Sequence, residues 1–97
     1  MNKAELVDKL SARTGMSNSE ARAVVDAIFD PNPEVGLIVS ELKNGEKVAI
    51  SGFGTFEARQ RKARQGRNPH TGEPIDIPAT RAPAFTAGKP LKEALKG

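Results

Sequence analysis

The chain has 97 residues, 37% hydrophobic content, no cysteine and a formal net charge of +3. That length fits one small domain with a thin core, which a partner subunit would complete, so an obligate homodimer is expected. The missing cysteines exclude disulfides and thiolate metal sites, and no stretch approaches the ~20 apolar residues of a membrane span.

The start, Met1-Asn2-Lys3-Ala4-Glu5, has no apolar signal region, so a cytoplasmic location is expected. Asn2 through Glu5 reads as a capping box that opens a first helix. Leu6, Val7 and Leu10 form its apolar face, and Gly15 suits the position just past its end. Ser17-Asn18-Ser19-Glu20 is a second capping box, with Met16 placed to staple against the next turn. Ala21, Val24, Val25, Ile28 and Phe29 follow at helical spacing.

Asp30-Pro31-Asn32-Pro33 interrupts that pattern, because proline removes a donor and disfavours helical geometry in the residue before it. Asn32 and Pro33 also suit the N-cap and first position of a third helix. Its apolar face would be Val35, Ile38, Val39 and Leu42, ending at Asn44-Gly45. From there the period changes to two. Val48 and Ile50 alternate with Lys47, Ala49 and Ser51, and Gly52-Phe53-Gly54 turns into a second strand, making a hairpin.

The second strand is expected to run on through a basic stretch, turn at Asn68-Pro69-His70-Thr71-Gly72 and return through Ile75, Ile77 and Pro78. Residues 58–79 hold few apolar side chains, so this ribbon should project into solvent; ten residues per strand would reach about 30 Å. Ala84-Phe85 and a short helix from Leu91 to Leu95, with Lys96 in its last turn, close the chain.

Charge is concentrated in the ribbon. Residues 1–50 carry six Lys/Arg and eight Asp/Glu, whereas residues 51–97 carry nine and four. Between Glu57 and Arg67 lie Arg59, Arg61, Lys62, Arg64 and Arg67 with one acid, a density that suits a polyanion.

Gly52-Phe53, Phe56, Arg61, Arg64, Gly66 and Asn68-Pro69-x-Thr71 stand in an order and spacing that resembles the signature of the HU/integration host factor family of bacterial histone-like proteins. The Met1-Asn2-Lys3 start, Pro83-Ala84-Phe85 and Ala87-Gly88-Lys89 resemble it too, so the likeness covers nearly the whole chain. The resemblance implies an α+β fold built as an intertwined dimer, with a helical base, an antiparallel sheet saddle and protruding β-ribbon arms. The expected organisation is one domain over 1–97: a helical dimerisation base over 1–45, sheet and arm over 46–86, and a C-terminal helix over 87–97.

For function, the resemblance implies a nucleoid-associated protein that binds and bends double-stranded DNA through the minor groove. Pro69 would intercalate as a wedge next to Asn68. Arg59, Arg61, Arg64 and Arg67 would meet phosphates and groove edges, and Lys3, Lys89 and Lys92 would contact phosphates on the saddle; Lys62 and Arg81 are further candidate DNA-binding residues. A proline wedge is physically apt, being rigid, apolar and without a donor. Phe53, Phe56 and Phe85 are expected in the dimer core rather than as base-stacking platforms.

Two departures from the family pattern stand out. Residues Pro31 to Gly36 look like an insertion into an otherwise uninterrupted second helix, and Thr86 replaces the usual lysine. A plain turn at Asn68-Pro69 and a solvated basic face are the bland alternatives, and the paired alternation of Ile75 and Ile77 argues against the second. Site-specific bending of the integration host factor type and RNA binding are the competing functions; the arm has no aromatic side chain for single-stranded RNA. No nucleophile–base pair or carboxylate dyad points to an enzyme, His70 stands alone, and no metal, cofactor or small-molecule substrate is expected.

Overall fold

A computed structural model describes residues 1–96. They form two compact units, residues 1–44 and residues from Gly45 onward.

The first unit is helical. α1 (Lys3–Thr14) is capped by Asn2, whose side chain accepts from the Glu5 N–H at 2.9 Å, and closes at Gly15 with φ 78°. Only this half of the expected box forms. α2 (Asn18–Phe29) has the full reciprocal box between Ser17 and Glu20. Met16, just before the cap, packs with Leu6 and Leu10 against Val7, Ala21 and Val25, which are the buried centre of the helix pair. Asn18 Nδ2 donates to Asp8 Oδ1 at 3.2 Å and ties the two helices together at the surface.

α2 stops where the prolines require it, but α3 (Leu37–Lys43) starts later than the Asn32 cap predicts. Local hydrogen bonds account for the delay. The Asn32 N–H donates to Asp30 Oδ1 at 2.8 Å. Asn32 Oδ1 then accepts from the Glu34 N–H at 2.9 Å, and its carbonyl from the Val35 and Gly36 N–H groups at 3.0 and 2.8 Å. These bonds close a separate turn, after which Gly36 is extended at φ −82°, ψ 125° and caps α3. Val35 therefore lies outside the helix and is exposed, while Leu42 is buried as expected.

The second unit holds two antiparallel sheets. β1 (Val48–Ile50), β2 (Gly54–Arg61) and β5 (Thr80–Ala87) form the larger, in the order β1-β2-β5; β3 (Arg64–Arg67) and β4 (Pro74–Ile77) form the smaller. The predicted hairpin is present: Gly52 takes φ 81° and the Phe53 N–H reaches the Ile50 carbonyl at 2.9 Å. The predicted continuous ribbon is not. Lys62-Ala63 on the outgoing side and Pro78-Ala79 on the return interrupt it. Pro78 has no N–H for the ladder and biases Ile77 towards extended geometry, so pairing lapses there and resumes beyond.

The last helix, α4, spans Lys89–Ala94, beginning two residues earlier than expected with Gly88 as its cap, because Pro90 suits the first turn. Ala87 belongs to β5. Lys92, not Lys96, is the basic residue of the last turn, and Lys96 instead meets Glu93 at 3.5 Å. No helix among the described residues is long and apolar enough to cross a membrane.

Candidate nucleic-acid interface

The register of β2 and β5 sorts the side chains of the larger sheet onto two faces. Phe56 is opposite Phe85 and Val48, and Ala58 is opposite Pro83, so one face is largely apolar. On the other face Thr55 pairs with Thr86, Glu57 with Ala84, Arg59 with Ala82 and Arg61 with Thr80. That face is built of small side chains with Arg59 and Arg61 standing above them. Arg81 pairs with Gln60, which puts it on the apolar side, opposite its expected companions.

Phe53, Phe56 and Phe85 meet on the apolar face, with Phe85 4.7 Å from Phe56 and 5.6 Å from Phe53 between ring centroids. They do not form a closed core within one chain: Phe53 and Phe85 remain 47% and 42% exposed. Gly54 lets the rings close in, since a Cβ there would stand 2.6 Å from both Phe85 Cε1 and the Thr86 carbonyl.

Beyond the interruption the arm again has two faces. Arg64 pairs with Ile77 and Gly66 with Ile75, while Gln65 pairs with Asp76 and Arg67 with Pro74. Arg64 and Arg67 thus leave opposite sides of the ribbon. Its end is closed by a small hydrogen-bond network. The Asn68 N–H donates to the Glu73 carbonyl at 2.9 Å, the Gly72 N–H to the Asn68 carbonyl at 2.8 Å, and the His70 N–H to Asn68 Oδ1 at 2.9 Å. Gly72 supplies the positive φ, 71°, that the return requires. Asn68 is thereby spent on holding the turn, and Pro69 is left exposed at the extremity.

The remaining predicted contacts are dispersed. Lys89 and Lys92 are exposed on α4, which is anchored where the Gly88 N–H donates to the Phe53 carbonyl at 2.8 Å. Lys62 is exposed at the ribbon interruption. Lys3, in the helical unit, forms an ion pair with Asp26 of α2. His70 lies at the tip, and no three His, Cys, Asp or Glu residues among those described come close enough to hold a metal.

Sequence reasoning missed Glu57 and Lys47. Glu57 Oε1 accepts from Arg59 Nε at 2.9 Å and its Oε2 faces Lys47 Nζ at 3.5 Å. The Arg59 hydrogen bond, helped by Lys47, holds the Glu57 carboxyl below its ordinary value, against the opposing effect of desolvation. A strand-period reading puts Glu57 and Arg59 on one face, but Lys47 joins them only through the pairing of β1 with β2.

Comparison with known proteins fits this geometry. The family described as bacterial DNA-binding protein matches residues 1–96. The chain belongs to that family. It is 54% identical over 96 residues to the SPbeta prophage-derived DNA-binding protein HU 2 of Bacillus subtilis, covering 99% of this chain and 98% of the relative. DNA-binding protein HU of Geobacillus stearothermophilus is 48% identical over 96 residues, 99% of this chain and all of that one. Among solved structures, the Anabaena HU–DNA cocrystal structure superposes with a TM-score of 0.83 at 45% identity, covering 98% of this chain and 97% of the other. HU from Thermotoga maritima gives a TM-score of 0.64 at 30% identity, with 99% and 100% covered.

Proposed function

We propose that this chain is a nucleoid-associated architectural protein that acts as a homodimer, binding duplex DNA with little sequence preference and bending it. The carrying observation is the arm: a paired ribbon lined with arginines that ends in a hydrogen-bonded turn with Pro69 exposed at its extremity. The guanidinium groups of Arg59, Arg61, Arg64 and Arg67 attract and position phosphates or enter a narrow minor groove. Lys62, Lys89, Lys92 and Lys3 add to the polyanion surface, and Arg81 does so from the other side of the sheet. Pro69 is the wedge that opens a base step, at a cost of a few kcal/mol that the contacts of bent DNA offset.

The dimer follows from what one chain leaves uncovered. Val7, Ala21, Val25 and Leu42 are its buried hydrophobics, while Phe29, Phe53 and Phe85 are half-exposed. Burial of such rings is a strong drive to association. On this reading residues 1–45 are the dimerisation base and residues 46–86 the sheet and arm, and the protein resides with the nucleoid in the cytoplasm. Relatives named HU, and a solved relative crystallised with DNA, support non-specific bending over site-specific recognition. The work is binding, not catalysis.

Ligase-mediated circularisation of a duplex shorter than its persistence length tests the proposal. The protein should promote circle formation, and affinity should fall steeply with salt as counterions are released. Binding without enhanced circularisation would refute bending. A preference above ~10³ for one site over random duplex would favour the site-specific reading.

A further inference from the structure

Glu57 is the acid on the face of β2 and β5 that carries Arg59 and Arg61, and repulsion from phosphates should make an acid there a liability. The way it holds Arg59 resolves the difficulty. Its side chain is 24% exposed and lies low on the sheet, with Arg59 and Lys47 standing above it at 60% and 70%. Lys47 occupies one carboxylate oxygen, so Arg59 is engaged by the other alone, and through Nε rather than through the two-pronged end of the guanidinium. Among the described residues, Nε is the guanidinium nitrogen of Arg59 that makes a hydrogen bond. An arginine gripped by both terminal nitrogens has no fork left for a phosphate; one gripped at Nε has its plane fixed and keeps the hydrogens of its terminal nitrogens for another acceptor.

We propose that Glu57 is a positioning residue: with Lys47 occupying its second oxygen, it orients Arg59 through Nε so that the terminal guanidinium nitrogens are presented to a DNA phosphate. Holding the guanidinium in advance removes part of the side-chain ordering that phosphate binding otherwise costs. This inference rests on the DNA-binding reading above and goes beyond it, because the alternative role for an acid at this place, a competing anion that weakens binding, makes the opposite prediction.

Glu57→Gln and Glu57→Ala carry the same net charge, but only glutamine retains an oxygen able to accept from Arg59 Nε. Affinity of each full-length variant for a random-sequence duplex, measured at one salt concentration, separates orientation from charge. Glu57→Ala should bind about three- to tenfold more weakly than Glu57→Gln, the span set by the net worth of one hydrogen bond. The gap should close when Arg59→Ala is added to both. The Arg59 Nε–H signal in NMR spectra should be sharp in the parent and in Glu57→Gln and broadened in Glu57→Ala. If alanine lowers Tm by loosening the strand, Glu57→Thr, a better strand former without a reaching oxygen, takes its place.

Equal tightening by both neutral variants would overturn the proposal in favour of a competing anion, as would a gap that persists without Arg59. Failure of the parent protein to bind duplex at all would sink the DNA reading instead, and the Nε–H signal would still report whether Glu57 orders Arg59.

Discussion

On the proposed reading, the side chains of the arm divide attraction from deformation. Replacing Pro69 by alanine should reduce circularisation of a short duplex while leaving the salt dependence of affinity nearly unchanged, since the wedge carries no charge. Replacing Arg64 should do the reverse, lowering the slope of log affinity against log salt by about 1 for each phosphate it no longer neutralises. Glu57 offers a check independent of DNA. Its carboxyl titrates below the ordinary range because Arg59 and Lys47 favour the charged form. Whatever stability the cluster lends is therefore complete above the unfolded-state pKa and lost as pH falls through the depressed folded value. In an NMR titration, Arg59→Ala should move the Glu57 midpoint upward; an unmoved midpoint would assign the depression to another cause. Arg59 and the tip were legible in the sequence because neighbouring residues announce them. Glu57 and Lys47 were not, since Lys47 reaches Glu57 only after two strands pair.

The elements were readable wherever their signals are local. Both caps, the stapling Met16 and the hairpin at Gly52 follow from side chains within four residues of one another. The errors occur where distant or collective bonds decide. Lys62-Ala63 contains no breaker, and the ribbon lapses there because Pro78 stands across from it. The start of α3 moved because Asn32 closes its own turn instead of capping the next helix. That turn has a tight point: a Cβ on Gly36 would run into the Asp30 carbonyl, although Gly36 has an ordinary negative φ. Gly36→Ala should therefore destabilise the protein by about 1–3 kcal/mol, the usual cost of overpacking, measured by denaturant unfolding. Gly15→Ala, where the added methyl meets open space but φ is 78°, should be costly for backbone reasons alone.

At the scale of the molecule, the proposed dimer would supply the cover that one chain lacks. Light scattering should give the mass of two chains, and Tm should rise with protein concentration, as for any fold completed by association. Phe85 discriminates sharply. Judged from one chain it is a half-exposed ring, yet Phe85→Ala should cost about 3–5 kcal/mol, the value for a fully buried phenylalanine. A small loss would place Phe85 outside the interface. No local signal in the sequence could show how exposed these aromatics are in one chain, because their spacing is the same whether their cover is internal or borrowed. The small interior of the single chain, with four buried hydrophobic side chains among the described residues, also bears on how long the protein survives. Under the proposed homodimer, a chain that has not yet paired would be open to proteases, and newly made chains should be cleared unless they meet a partner quickly. The amount of finished protein in a cell then depends more steeply than linearly on its rate of synthesis, and weak variants of the interface would first be noticed as low abundance.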